Sequence, residues 1–126
     1  MITIISAKQA KNGSLTSIFI DGKFLEIATG INVNVRNDIS TVTIRCIDID
    51  VENKEDAISK MELIKIFEVS RRFAISYINE DSEVEINKET IIKNCKCEGY
   101  SFLSICGDVQ KINFNATFNK HDIEYK

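Results

Sequence analysis

Three stretches alternate apolar and polar residues one for one, and a period of two is the signature of a β-strand with one buried face. In residues 31–36, Ile31, Val33 and Val35 oppose Asn32, Asn34 and Arg36. In residues 40–46, Val42 and Ile44 oppose Thr41, Thr43 and Arg45. In residues 111–119, Ile112, Phe114, Ala116 and Phe118 oppose Asn113, Asn115, Thr117 and Asn119. A solvated strand face usually mixes Lys, Glu and Thr; these three carry short amides and hydroxyls, with Arg36 and Arg45 at two ends.

The rest of the chain adds strands and one helix. "MITII" reads as a short first strand and "AKQAKNGS" as a polar loop. "SIFIDGKFLEI" places two apolar runs around Asp21-Gly22, the sequence of a type I′ hairpin turn. "NDIS" supplies a turn after residue 36. In "TVTIRCIDIDVE" the apolar positions slip by one residue, which predicts a bulge near Cys46-Ile47.

"NKEDAISKMELIKIFEVS" is the helix candidate. Asn53 caps it, Glu55 and Asp56 fill its first turn, and Arg71 and Arg72 close it. Ile58, Met61, Ile64 and Phe67 form its apolar stripe. "RFAISYINED" then reads as β, with "SEVEI" pairing to it. "ETIIKNCKCEGYSFLSICGD" gives one or two strands broken at Gly99 and Gly107-Asp108. "VQKINFNATF" is the last strand and "NKHDIEYK" a tail. The expectation is one domain over residues 1–126. Its class is α+β, mainly β: a sandwich or partial barrel of seven or eight mostly antiparallel strands with one helix.

Composition narrows the function. A formal charge of −3 argues against stable nucleic-acid binding, which rests on clustered Lys and Arg. The start shows no signal-peptide pattern, and no apolar run suits membrane insertion. The expectation is a cytoplasmic origin, with Cys46, Cys95, Cys97 and Cys106 as reduced thiols. Cys95 and Cys97 share a strand face, and small buried hydrophobes explain the four better than a zinc site does. His121, the one histidine, has no evident nucleophile or carboxylate partner. The acidic run Asp48, Asp50, Glu52, Glu55 and Asp56 lacks the Gly and Glu positions of an EF-hand. No phosphate loop or nucleophile elbow occurs. The expectation is no enzyme, no cofactor and no metal.

Two explanations compete for the asparagines. An AT-rich genome favours Ile, Asn and Lys codons, and Asn is then filler. Alternatively the face lines a water-filled channel, where short neutral groups stay hydrated without gripping what passes. One domain of this size encloses no wide pore. A ring of copies does, and edge-to-edge pairing that closes by rotation consumes the exposed strand edges.

The order of elements resembles the tail tube proteins of contractile phage tails and of related phage-tail-like bacteriocins. The resemblance is carried by "GSLTSIFIDGKFLEIATGINVNV", the helix "EDAISKMELIKIF", "RFAISYI" and "ETIIKNCKCEGYSFLSICGDVQKINFNATF". It implies a hexameric ring sharing a larger inner β-barrel, rings stacked into a tube, and sheath, tape measure and baseplate hub proteins as partners. The lumen-facing candidates are Asn32, Asn34, Arg36, Thr41, Thr43, Arg45, Asn113, Asn115, Thr117 and Asn119. The family's long loop between the second and third strands shrinks here to "RNDIST", which suits a tube initiator or baseplate ring. A small cytoplasmic binding module of the immunity-protein kind, acting as monomer or dimer, is the alternative.

Overall fold

The computed structural model describes residues 2–9, 16–47, 49, 52–77, 81–105 and 108–126. Strands β1 (Thr3–Gln9), β2 (Thr16–Ile20), β3 (Lys23–Phe24), β4 (Ala28–Asn34) and β5 (Ser40–Cys46) come first. Helices α1 (Lys54–Ser59) and α2 (Met61–Tyr77) follow. Then come β6 (Asp81–Ile86), β7 (Thr90–Ile105), β8 (Asp108–Phe118), a 3-10 turn at Lys120–Asp122, and β9 (Ile123–Tyr125). The protein is α+β and mainly β.

The nine strands among the described residues belong to one sheet in the order β3-β2-β1-β6-β7-β8-β5-β4, with β9 beside β7. Only β1 and β6 pair in parallel among these neighbours. So long a twisted sheet must curl. The 16-residue β7 serves both halves of it. Its first half pairs with β6 and β9, and its second half from Lys96 to Ile105 pairs with β8. Register slips opposite Ser82–Val84 and between Cys97 and Gly99 bend the strand between these roles. Asn94, at φ 56°, takes the left-handed conformation at the first slip, which Asn tolerates better than most residues. The curl brings β2 close to β4, and the sheet does not close into a barrel.

One apolar core fills the curl. Ile18 and Ile20 of β2, Val84 of β6 and Ile92 of β7 meet Val42 and Ile44 of β5 and Phe114 of β8. Helix α2 lies near β8 and adds Ile64, Phe67 and Ala74 to the core.

Several local expectations hold. Asp21 and Gly22, at φ 48° and 83°, make the left-handed turn that Asp-Gly specifies. Asn53 Oδ1 accepts the Asp56 N–H at 2.9 Å and caps α1. A turn at Lys60 offsets α1 from α2, but Ile64 N–H still donates to the Lys60 carbonyl at 3.0 Å.

Others are corrected. Strand β1 runs on to Gln9, taking in the start of the expected loop; residues 10–15 lie outside those described. Residues 72–77 are helical, not β, because Ala74 continues the buried row of Ile64 and Phe67, and tertiary packing overrides β propensity. Ile58 and Met61 are exposed, so only Ile64 and Phe67 of the expected stripe enter the core. The "SEVEI" segment pairs with β1 and β7 instead of the preceding residues. Strand β5 ends at Cys46, and the extra residue of the irregularity falls on β4 between Ala28 and Gly30. Gly99 lies within β7 at a register slip and does not end the strand; Gly107 lies outside the described residues. The tail folds back, with Lys126 N–H donating to the Glu89 carbonyl at 2.7 Å.

Candidate assembly surface

The three alternating segments become adjacent strands, β8-β5-β4. Their register settles which polar residues are neighbours, because directly paired residues in an antiparallel sheet share a face. Asn34, Thr41, Thr117 and Lys96 form one row across β4, β5, β8 and β7. Asn32, Thr43, Asn115 and Gly99 form the next, and Gly30, Arg45, Asn113 and Ser101 the third. Eight of the ten sequence candidates therefore stand together. Asn32, Asn34 and Arg45 are exposed, and Thr41, Thr43, Asn113, Asn115 and Thr117 are half-buried.

Arg36 and Asn119 are the two exceptions. Arg36 lies beyond the end of β4, where its N–H donates to Ser40 Oγ at 2.9 Å and its carbonyl accepts from the same hydroxyl at 3.2 Å. Asn119 leaves the strand register to cap the 3-10 turn, accepting the His121 N–H at 3.0 Å. A short amide at a strand end makes local backbone bonds more readily than it extends a ladder.

Within the face, side chains satisfy one another. Thr43 Oγ1 donates to Asn115 Oδ1 at 3.2 Å, and Thr117 Oγ1 to Glu98 Oε1 at 2.9 Å. A Cβ on Gly30 would stand 2.5 Å from Arg45 Nη2, so the missing side chain is what lets the guanidinium lie across β4. Gly30, Lys96 and Glu98 belong to this surface but were not legible in the alternation. Glycine has no side chain to alternate, and the slip after Cys97 puts β7 out of phase. The face holds neutral dipoles and few charges, which keep water mobile while offering no acid–base pair.

The opposite face of the same strands carries Ile44, Phe114 and Ile31, all buried. Along β4 that burial fades: Ile31 is 8% exposed, Val33 36% and Val35 50%. The outer margin of β4 is the end of the sheet and is unpaired among the described residues. The connection to β5 carries Ile39 at 60% exposure.

The other candidate groups sit elsewhere. Burial pushes the thiols of Cys46 and Cys95 up to about 12, Asp122 and Glu83 adding to the effect at Cys95, so both stay protonated. Cys97 is half-buried, and Cys106 lies outside the described residues. No group of three His, Cys, Asp or Glu among the described residues is arranged to hold a metal ion. Asp48 and Asp50 also lie outside them. Asp56 works as a helix-start residue: the Glu52 N–H at 3.1 Å and the Lys60 ammonium at 3.1 Å hold its carboxyl below the usual range. His121 is exposed in the 3-10 turn. No helix among the described residues is long and apolar enough to cross a membrane.

Comparison with protein-family models, with curated proteins and with solved structures gives no match.

Proposed function

We propose that the chain is a structural subunit of a contractile tail or phage-tail-like particle. Six copies close into a ring of the inner tube or of a tube-initiating baseplate layer. Strands β4, β5 and β8 of each copy contribute to a shared larger barrel, with the rows of Asn and Thr toward the lumen. Sheath, tape measure and baseplate hub proteins are its partners, and it performs no catalysis.

The observation that carries this reading is the union of a hydrated, nearly neutral strand face with an unpaired margin on the same sheet. In the three rows, β4, β5 and β8 contribute short neutral groups and Arg45 but no Lys or Glu, an exclusion from which a face built only to meet solvent gains nothing. A margin seven residues long is a template for another strand and an aggregation hazard unless paired. Pairing that closes by rotation removes the hazard and turns the polar face inward. Short neutral side chains then let a tape measure or a nucleic acid pass without retention.

Size-exclusion chromatography followed by negative-stain microscopy tests the proposal. Rings or rods are expected. A strict monomer that binds another protein one-to-one would overturn the reading in favour of an immunity-type module.

A further inference from the structure

The turn between β6 and β7 breaks a local rule. Its central residues, Asn87 and Lys88, stand at φ 52° and 58°, and the Glu89 N–H closes it on the Ile86 carbonyl at 3.0 Å. This is the type I′ pattern, which favours Asn followed by Gly. Asn tolerates the left-handed region, but a lysine there crowds its own backbone. The Asp21-Gly22 turn, with the same signs of φ, does carry the glycine. A long side chain kept where glycine sits more easily points to a task for that side chain.

Lys88 lines a hollow of about 290 Å³ on the surface of β2, β1 and β6. Ser6 of β1 pairs directly with Phe19 of β2 and with Glu85 of β6, so the three share one row. The serine is the small member between two large ones, and the hollow lies along it. Lys8, two residues on, shares that face, with its ammonium 5.3 Å from the centre of the Phe19 ring. The turn is pinned over the end of β1. Asn87 Oδ1 accepts the Gln9 N–H at 2.7 Å, and the Asn87 N–H donates to the Ala7 carbonyl at 2.8 Å. Two ammoniums and one carboxylate thus line one hollow without joining: among the described residues, no salt bridge includes Lys8, Lys88 or Glu85.

We propose that this hollow binds a small phosphorylated polyol. A phosphate monoester carries nearly two negative charges at neutral pH, and Lys8 and Lys88 supply two positive ones. Glu85 disfavours a ligand that is anionic throughout and accepts hydrogen bonds from hydroxyls. Ser6 Oγ both donates and accepts, so it serves a hydroxyl or a phosphate oxygen. The half-buried Phe19 ring offers an apolar wall for the carbon skeleton. The volume stands at the lower end for ligand pockets and suits a molecule of a few carbons. The site is built on β2, β1 and β6, apart from the β8-β5-β4 face, and does not depend on the ring reading.

Calorimetric titration of the full chain with glycerol 3-phosphate, inorganic phosphate and glycerol tests the site. The ester is expected to bind roughly tenfold or more tightly than inorganic phosphate, and glycerol to give no binding heat. Lys88→Gly separates binding from folding. It should weaken the ester roughly tenfold or more while the melting temperature holds or rises, because glycine suits the turn better. Glu85→Gln should bring inorganic phosphate close to the ester in affinity. Vesicles of phosphatidylglycerol test a lipid headgroup as the source of the same chemistry. No heat with the ester, equal binding of ester and inorganic phosphate by the native chain, or a Lys88→Gly variant that binds undiminished would each overturn the proposal. So would adsorption to the vesicles without binding of the free ester.

Discussion

The sheet ends in two strands that are built differently. Strand β3 is two residues long, both exposed, and begins with a lysine. Strand β4 is seven residues long and contains no charged residue. Short, charged edges are how proteins refuse a partner strand. The first margin is therefore defended and the second is open. The difference teaches that the chain blunts one edge by shortness and charge and leaves the other long and uncharged, with only a bulge between Ala28 and Gly30 at its start.

The largest expected effect comes from removing the floor beneath the open margin. Phe114→Ala should lower stability by about 3–5 kcal/mol in urea unfolding, because the ring is buried in the core beside Ile44 of β5 and truncation leaves a cavity there. Assembly should fail with it. A cost under about 1 kcal/mol would mean that the β8-β5-β4 half is not a packed face, and the contrast between the margins would lose its basis.

Alkaline pH probes the same packing. Cys46 and Cys95 have folded values raised to about 12, whereas unfolded thiols ionise near 8.5. Above that lower value the unfolded chain sheds protons that the native chain keeps, so stability is full below it and falls as pH rises toward the folded value. Unfolding free energy should drop steadily from about pH 9, by up to about 5 kcal/mol per thiol at the top of the window. Cys46→Val should blunt the slope by about half. An unchanged slope would place Cys46 in contact with water.

Two substitutions sharpen the comparison itself. Val33→Lys copies the device of β3 onto β4. It should leave unfolding free energy within about 0.5 kcal/mol, since the site is already partly exposed, while abolishing association of copies. Lys23→Val on β3 should leave association of copies unchanged, because a two-residue edge stays too short to template a partner strand. A small effect is likewise expected from Gly30→Ala. The added methyl displaces only the flexible end of Arg45, so thermal stability should move by less than about 1 kcal/mol. A larger loss would show that the guanidinium is held in place across β4.

How much of this was legible in the sequence depended on distance along the chain. The three alternating strands were readable because one buried face fixes the parity of every residue, and Phe114 beside Asn115 states that parity directly. The Asp-Gly turn and the Asn53 cap were readable because their chemistry is local. Residues 72–77 were not: Phe73, Ile75 and Tyr77 favour strands by themselves, and only the distant core that buries Ala74 decides for helix. The parallel pairing of β1 with β6 joins residues almost 80 positions apart and leaves no local mark. Strand β9 is three residues long, too short to show a period. For the polar face, the alternation identified eight members and misplaced Arg36 and Asn119, which lie where strand ends give way to turn chemistry.

The central claim is that β4 is finished by a second copy of the chain. Amide hydrogen exchange followed by mass spectrometry, repeated over a wide range of protein concentration, tests it most directly. The account predicts that protection over Ala28–Asn34 rises steeply with concentration while Lys23–Phe24 exchanges at one rate throughout. Exchange over Ala28–Asn34 that stays constant from the most dilute to the most concentrated sample would contradict it.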